Sequence, residues 1–136
     1  MKKLANHLYW FLIAGALFYY LYHKGYIFAN FENITPQETY QMLQHERNVT
    51  LLDVRTKREK REDGYIEGAK LIPVEELEKR IDELSPYKKR KLIVYCRSGH
   101  RSVTASRILA NAGYRTYNVK GGINAWKKEG LPLASY

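Results

Sequence analysis

Cys96 is the only cysteine of the chain, and it stands where an apolar run gives way to a polar loop. The run before it, KLIVY at residues 91–95, is typical of a buried strand, and residues 103–111 have the spacing of a helix. A thiol at such a junction faces the free N–H groups and the positive end of the helix. This setting favours the thiolate, which is the reactive form of cysteine. We therefore predict that Cys96 is a nucleophile that acts on anions.

The loop after Cys96 supports this interpretation over that of a small core residue, which is the commoner use of a lone buried cysteine. Gly99 permits a turn with positive φ, so that successive N–H groups can converge on an anion. A connection that only joins a strand to a helix does not need two arginines and a histidine around the thiol. For His100 we favour a solvent-facing side chain over one that tunes the cysteine. The predicted binding residues are Arg97, Ser98, Gly99, His100, Arg101 and Ser102.

A second polar pair, Asp53 and Arg55, lies at the end of another apolar run, residues 49–54. Apolar strands that alternate with helices indicate a parallel sheet covered by helices on both faces. Ligands of such folds bind beyond the carboxyl ends of the strands, where Cys96 and Asp53 both lie. Since an Asp–Arg pair at a strand end commonly ties down a loop, we predict a supporting role for this pair.

The remaining pattern predicts short elements throughout. Thr35, Pro36 and Glu38 have the types and spacing of a capped helix start. The charged residues 56–63 are predicted as a solvated single-turn helix, and residues 25–33 as a linker. The predicted strands are 49–54, 70–72, 92–95 and 116–119, and the predicted helices are 36–44, 75–84, 103–111 and 123–128.

The N-terminal segment differs from the rest of the chain in charge and hydropathy. Residues 4–23 contain no Asp, Glu, Lys or Arg, and residues 8–22 are almost wholly apolar or aromatic. Twenty helical residues span about 30 Å, the thickness of a bilayer core, and aromatic residues at both ends are typical of membrane interfaces. We predict an uncleaved, single-pass transmembrane anchor and linker in residues 1–30. A signal peptide would need small residues after the apolar run, and a buried core helix would show a polar face.

The side of the membrane stays open. Lys2 and Lys3 precede the apolar segment and Lys24 follows it, so the positive-inside rule weakly favours an extracytoplasmic domain. A reactive, unpaired thiol fits the reducing cytoplasm instead.

Composition limits the partners and the chemistry. The 136 residues suffice for one modest domain with an appendage, predicted here as residues 31–136 after the anchor. The net charge of +9 suits an anionic substrate or a membrane surface, whereas no motif predicts nucleic acid as a partner. A single cysteine excludes an internal disulfide, so sulfur chemistry would need an external acceptor. No metal or organic cofactor is predicted, because one cysteine and scattered histidines offer no ligand cluster.

Three motifs in order, over residues 31–132, resemble the single-domain rhodanese family. They are LLDVR, GYIEGA and IP at residues 51–55, 64–69 and 72–73; VYCRSGHRS at residues 94–102; and GGINAW with GLP at residues 121–126 and 130–132. The second motif resembles the active-site loop of the family. Tyr65 stands where the family often has His, at a mostly structural position. The resemblance implies a rhodanese-like, three-layer α/β fold with a parallel sheet of about five strands flanked by helices.

The resemblance also implies sulfur transfer. Cys96 would take the outer sulfur of a donor such as thiosulfate and hold it as a persulfide, until a thiol or cyanide acceptor removes it. The backbone N–H groups of residues 97–102 would stabilise the persulfide. Arg97 and Arg101 would bind the sulfonate end of the donor. A protein persulfide is a further donor or acceptor that this chemistry allows.

Two other functions are compatible with the same cysteine. Phosphatases and arsenate reductases of this fold use a Cys-x5-Arg loop, whereas Cys96 and Arg101 form a Cys-x4-Arg loop, which argues against both activities. A membrane-tethered persulfide carrier, sensor or regulatory module would accept sulfur from a protein and barely turn over thiosulfate. Regulatory domains of the family usually lack the cysteine.

Overall fold

Five parallel strands form the centre of the fold in this computed structural model, which describes residues 2–24 and 30–136. The strands are β1 (Glu32–Ile34), β2 (Val49–Asp53), β3 (Lys70–Leu71), β4 (Lys91–Tyr95) and β5 (Arg115–Val119). Their order in the sheet is β1-β5-β4-β2-β3, with every neighbouring pair parallel. The predicted parallel sheet is confirmed. Because β4 is central, the residue that follows it emerges at the middle of the carboxyl edge.

Helices cover both faces of this sheet. They are α1 (Lys2–His23), α2 (Pro36–His45), α3 (Lys57–Asp63), α4 (Leu77–Arg80), α5 (His100–Asn111) and α6 (Gly122–Lys128), with 3₁₀ segments at Val74–Glu76 and Ile81–Tyr87. Side chains alternate along a strand, so β4 contributes to two apolar clusters. Leu92 and Val94 pack with α4 and α5, whereas Ile93 and Tyr95 pack with α2 and α6.

Two segments differ from the prediction. β1 overlaps the end of the stretch predicted as a linker, residues 25–33, of which residues 25–29 fall outside the described part of the chain. Its three residues are extended because they pair with β5, a partner that is distant in sequence. The helix predicted over residues 75–84 is divided into α4 and two 3₁₀ segments. Leu77 and Leu84 are nevertheless buried against the sheet, so the spacing predicted their burial but not a continuous helix.

The N-terminal segment is helical as predicted, but the predicted transmembrane span over residues 4–23 requires correction. Within residues 2–24 and 30–136, no helix is long and apolar enough to cross a membrane. The polar groups of Asn6, His7 and several tyrosines lower the mean hydropathy of α1, because amide, imidazole and hydroxyl groups are costly to place in hydrocarbon.

The C-terminal end of α1 contacts α5. The Arg107 guanidinium donates a hydrogen bond to the carbonyl oxygen of Tyr22 and lies 4.1 Å from the centroid of its ring. The next contact is at Lys24, whose Nζ lies 2.7 Å from Nε2 of His100, the first residue of α5. The N-terminal helix therefore ends beside the loop that follows Cys96.

Candidate functional site

The sulfur of Cys96 lies at the carboxyl end of β4, and the residue is only 1% exposed. The N–H of Gly99 donates to Sγ at 3.1 Å, and Sγ lies 3.3 Å from the hydroxyl oxygen of Ser102. Gly99 has a φ of +103°, a conformation that other residues rarely adopt, and it directs the loop back towards the sulfur. Because α5 begins at His100, the sulfur lies at the N-terminus of a 12-residue helix. This environment stabilises negative charge on sulfur.

The N-terminus of α6 supports the loop that follows Cys96, residues 97–102, which we call the cysteine loop. The N–H groups of Ile123 and Asn124 donate to the carbonyl oxygens of Cys96 and Arg97, at 2.9 and 3.0 Å. At Gly122 a Cβ atom would lie 2.4 Å from the first of these oxygens and 2.7 Å from the second. Gly122 therefore permits the close approach of helix and loop. The sequence marked this glycine only as part of a motif, since its contact with the loop is long-range.

Asp53 and Arg55 form a fully buried ion pair beneath the carboxyl edge. Arg55 Nη2 lies 2.8 Å from Asp53 Oδ2 and 2.8 Å from the carbonyl oxygen of Gly64, to which it also donates. The Tyr95 hydroxyl donates to Asp53 Oδ2 at 3.0 Å and accepts from the N–H of Ile66 at 3.2 Å. Burial, together with the Asp53 charge, raises the pKa of Tyr95 far above its usual range. These bonds hold residues 64–66 against β2 and β4, so the contacts of Asp53 and Arg55 are structural.

Arg101 is paired with Glu59, a residue that sequence reasoning missed. Its Nη1 and Nη2 atoms lie 2.5 and 2.7 Å from the two carboxylate oxygens of Glu59. These hydrogen bonds hold the pKa of Glu59 at about 2. The carboxylate also accepts from the N–H of Thr56 at 3.3 Å, while the N–H of Glu59 donates to the Thr56 hydroxyl at 3.1 Å. The helix predicted over this stretch is present as α3, and its capped start directs Glu59 to the cysteine loop. The Thr-x-x-Glu pattern predicts the cap but not the distant arginine.

The other loop side chains face outwards. Arg97, Ser98 and His100 are exposed, as predicted for His100. Beside the loop lies a cavity of about 190 Å³, whose lining includes Lys24 and Lys120. In the described part of the chain, no three His, Cys, Asp or Glu residues are grouped in a way that could hold a metal ion.

Comparison with known proteins relates this geometry to a family. The profile of the rhodanese-like domain matches residues 35–129. A sulfurtransferase of Allochromatium vinosum is 38% identical over 96 residues, which cover 70% of this chain and 87% of that protein. A thiosulfate sulfurtransferase of Actinobacillus pleuropneumoniae is 29% identical over 104 residues, covering 76% and 93%.

The fold comparison agrees with the sequence comparison. The crystal structure of a rhodanese-related protein from Thermoplasma volcanium has a TM-score of 0.69 and 31% identity, over 76% of this chain and 98% of that chain. The residues matched by the family profile include strands β2 to β5 and the loop after Cys96. The family profile matches well over half of this chain, and the chain therefore belongs to the rhodanese-like family.

Proposed function

We propose that this protein is a sulfurtransferase that carries sulfane sulfur as a persulfide on Cys96. The main observation is the sulfur itself, which accepts a backbone N–H bond from Gly99 at the N-terminus of α5. A site that stabilises negative charge on a buried sulfur suits a thiolate nucleophile and its persulfide. The sulfurtransferases among its relatives support the same class of reaction.

The reaction has two displacement steps. With thiosulfate as donor, the Cys96 thiolate attacks the outer sulfur, the S–S bond of the donor breaks, and sulfite leaves with the bonding electron pair. In the second step an acceptor thiolate or cyanide attacks the terminal sulfur of the persulfide, and the electron pair returns to the Cys96 sulfur. The Gly99 N–H, the Ser102 hydroxyl and the α5 N-terminus would stabilise the negative charge in both steps.

A persulfide carrier with little thiosulfate turnover is the second candidate. The observation that favours it is the Glu59–Arg101 pair, because the carboxylate occupies an arginine that would otherwise bind the sulfonate of thiosulfate. A carrier would load from a protein persulfide and pass the sulfur on to another protein.

Intact-mass spectrometry of the full chain tests the proposed function. After treatment with thiosulfate or with a low-molecular-weight persulfide, the native protein should gain one sulfur atom that cyanide or a thiol removes. A Cys96→Ser variant should gain none. If a folded native protein gains no sulfur from either donor, the proposed function is wrong.

We also propose that α1 binds a lipid surface. It exposes large apolar and aromatic side chains around its circumference, including Leu8, Trp10 and Phe11, each more than 60% exposed. Large apolar side chains exposed on several sides of a helix are normally covered by protein or lipid, and the chain carries a net positive charge of 9.

Sedimentation of the full chain with vesicles of mixed neutral and anionic lipids tests this association. The native protein should sediment with the vesicles, whereas a variant with Leu8, Phe11 and Leu12 changed to Ser should stay in the supernatant. Equal sedimentation of the two proteins, or none of the native one, would contradict the proposal.

A further inference from the structure

The cysteine loop contains Arg101, whose positive charge is balanced by the carboxylate of Glu59. Both terminal nitrogens of Arg101 donate to both oxygens of Glu59, in the two-pronged geometry that makes arginine–carboxylate pairs strong. The two side chains are 32% and 19% exposed, so the pair is partly shielded from solvent. Its hydrogen bonds to Glu59, with contributions from the charges of Cys96 and Glu75, raise the pKa of Arg101. Arg101 directly precedes Ser102, whose hydroxyl lies 3.3 Å from Sγ, so the pair lies close to the sulfur.

This balance matters because sulfur donors differ in charge. Thiosulfate carries two negative charges and releases sulfite, also a dianion. A persulfide of a neutral thiol carries at most one negative charge, and releases one thiolate. A dianion that approaches Arg101 also approaches the Glu59 carboxylate, and this repulsion grows with the charge of the donor. A donor of low charge meets a much smaller penalty.

We propose that Glu59 is a specificity-determining residue, which disfavours dianionic donors by occupying Arg101 and so favours persulfides of low charge. This inference rests on the proposed sulfur transfer through Cys96. The persulfide reaction is balanced: the thiolate attacks the outer sulfur of R–S–SH, the donor S–S bond breaks, and R–S⁻ leaves with the electron pair. No other reactant is needed.

The structure supplies a variant and a matched control for testing this inference. In Glu59→Gln the charge is lost, while Gln at the same position can still form the Thr56 cap. In Glu62→Gln an equal charge is removed from the same helix. Glu62 pairs with Arg58 at 3.1 Å in an exposed position, and it therefore controls for net charge. Circular dichroism and thermal denaturation of each variant verify the fold.

The experiment compares rate constants of sulfur loading onto Cys96 for two donors, thiosulfate and N-acetylcysteamine persulfide, by quenched intact-mass spectrometry of the full chain. Native protein should load faster from the persulfide. In Glu59→Gln the ratio of the thiosulfate rate to the persulfide rate should rise about tenfold, and this gain should shrink at high salt. The ratio for Glu62→Gln should stay within a factor of about two of the native one.

A double variant, Glu59→Gln with Arg101→Gln, tests whether the gain acts through the arginine. We expect its donor ratio to return towards the native value. The inference is overturned if Glu59→Gln changes both rates alike, if it slows thiosulfate, or if Glu62→Gln shifts the ratio equally. Loading from both donors with an unchanged ratio would overturn this inference alone, whereas no loading of native protein from either donor would also overturn the proposed function.

Discussion

Two pairs of an acid and an arginine lie near the carboxyl edge of the sheet, and they differ in burial and in sequence separation. Asp53 and Arg55 are two residues apart and fully buried. Glu59 and Arg101 are 42 residues apart and partly exposed. The buried pair binds only protein groups, and its strength holds the chain in place. The partly exposed pair lies beside Ser102, whose hydroxyl contacts the Cys96 sulfur, and solvent can still reach it, so the two pairs differ in what they can contact.

Removal of the buried Arg55 should have the largest effect on stability of the changes considered for the two pairs. We expect Arg55→Met to lower the free energy of unfolding by about 3–5 kcal/mol, because it leaves Asp53 as an uncompensated buried charge. Urea denaturation measures this change. Arg58→Met, which breaks an exposed pair, should change stability by less than about 0.5 kcal/mol. Similar losses for the two variants would contradict the assignment of a structural role to the buried pair.

A glycine comparison tests how firmly the cysteine loop depends on α6. Gly122→Ala should cost about 1–3 kcal/mol of stability and abolish most sulfur loading, because its Cβ would meet the Cys96 and Arg97 carbonyl oxygens. Gly130 also has a positive φ, but nothing lies within 4 Å of a Cβ placed there. Gly130→Ala should therefore cost less stability and leave loading intact. Intact-mass spectrometry and thermal denaturation measure the two effects, and equal loading by both variants would contradict this view of α6.

Two serines one turn apart on α5 test the contact with sulfur. Ser102→Ala should slow sulfur loading about tenfold, since it removes the hydroxyl beside Sγ, a contact worth about 1.4 kcal/mol in the barrier. The Ser106 hydroxyl is buried and has no hydrogen-bond partner within residues 2–24 and 30–136. Ser106→Ala should therefore leave loading unchanged and stability unchanged or higher. Equal slowing in both would show that helix packing, and not the hydroxyl, sets the rate.

The Glu59–Arg101 pair should make the free energy of unfolding depend on pH. The pKa of Glu59 is about 2 in the folded protein, below its unfolded value, so its stabilising effect is complete above pH 4.5 and is lost as the pH falls towards 2. With allowance for solvent screening, we expect the free energy of unfolding of the native protein to exceed that of Glu59→Gln by about 1 kcal/mol at pH 7. The difference should vanish near pH 2. Denaturation at a series of pH values measures it, and a difference independent of pH would exclude the ion pair as its source.

Much of the fold and part of the site were predictable because their signals are local. Short apolar runs predicted β2 and β4, a strand was also predicted at β5, and the Thr35–Glu38 pattern predicted the start of α2, which has its capping box. The positive φ of Gly99 also follows from residue type and position in the loop. β1 was missed because three residues carry no pattern of their own. The apolar composition of α1 predicted a helix, but its length alone did not make it a transmembrane span.

The turn after the cysteine and the alternation of strands and helices could be predicted from the sequence alone, since each depends on residues within one turn or one strand. Which charged side chains form pairs across the fold depends on the tertiary structure. Parallel pairing of β2 with β4 places Asp53 opposite Tyr95, so the segments that follow both strands emerge side by side. This register brings Glu59 to Arg101, while the chain path after β5 brings Gly122 to Cys96. Such contacts leave no periodic signal, because the residues that make them are distant along the chain.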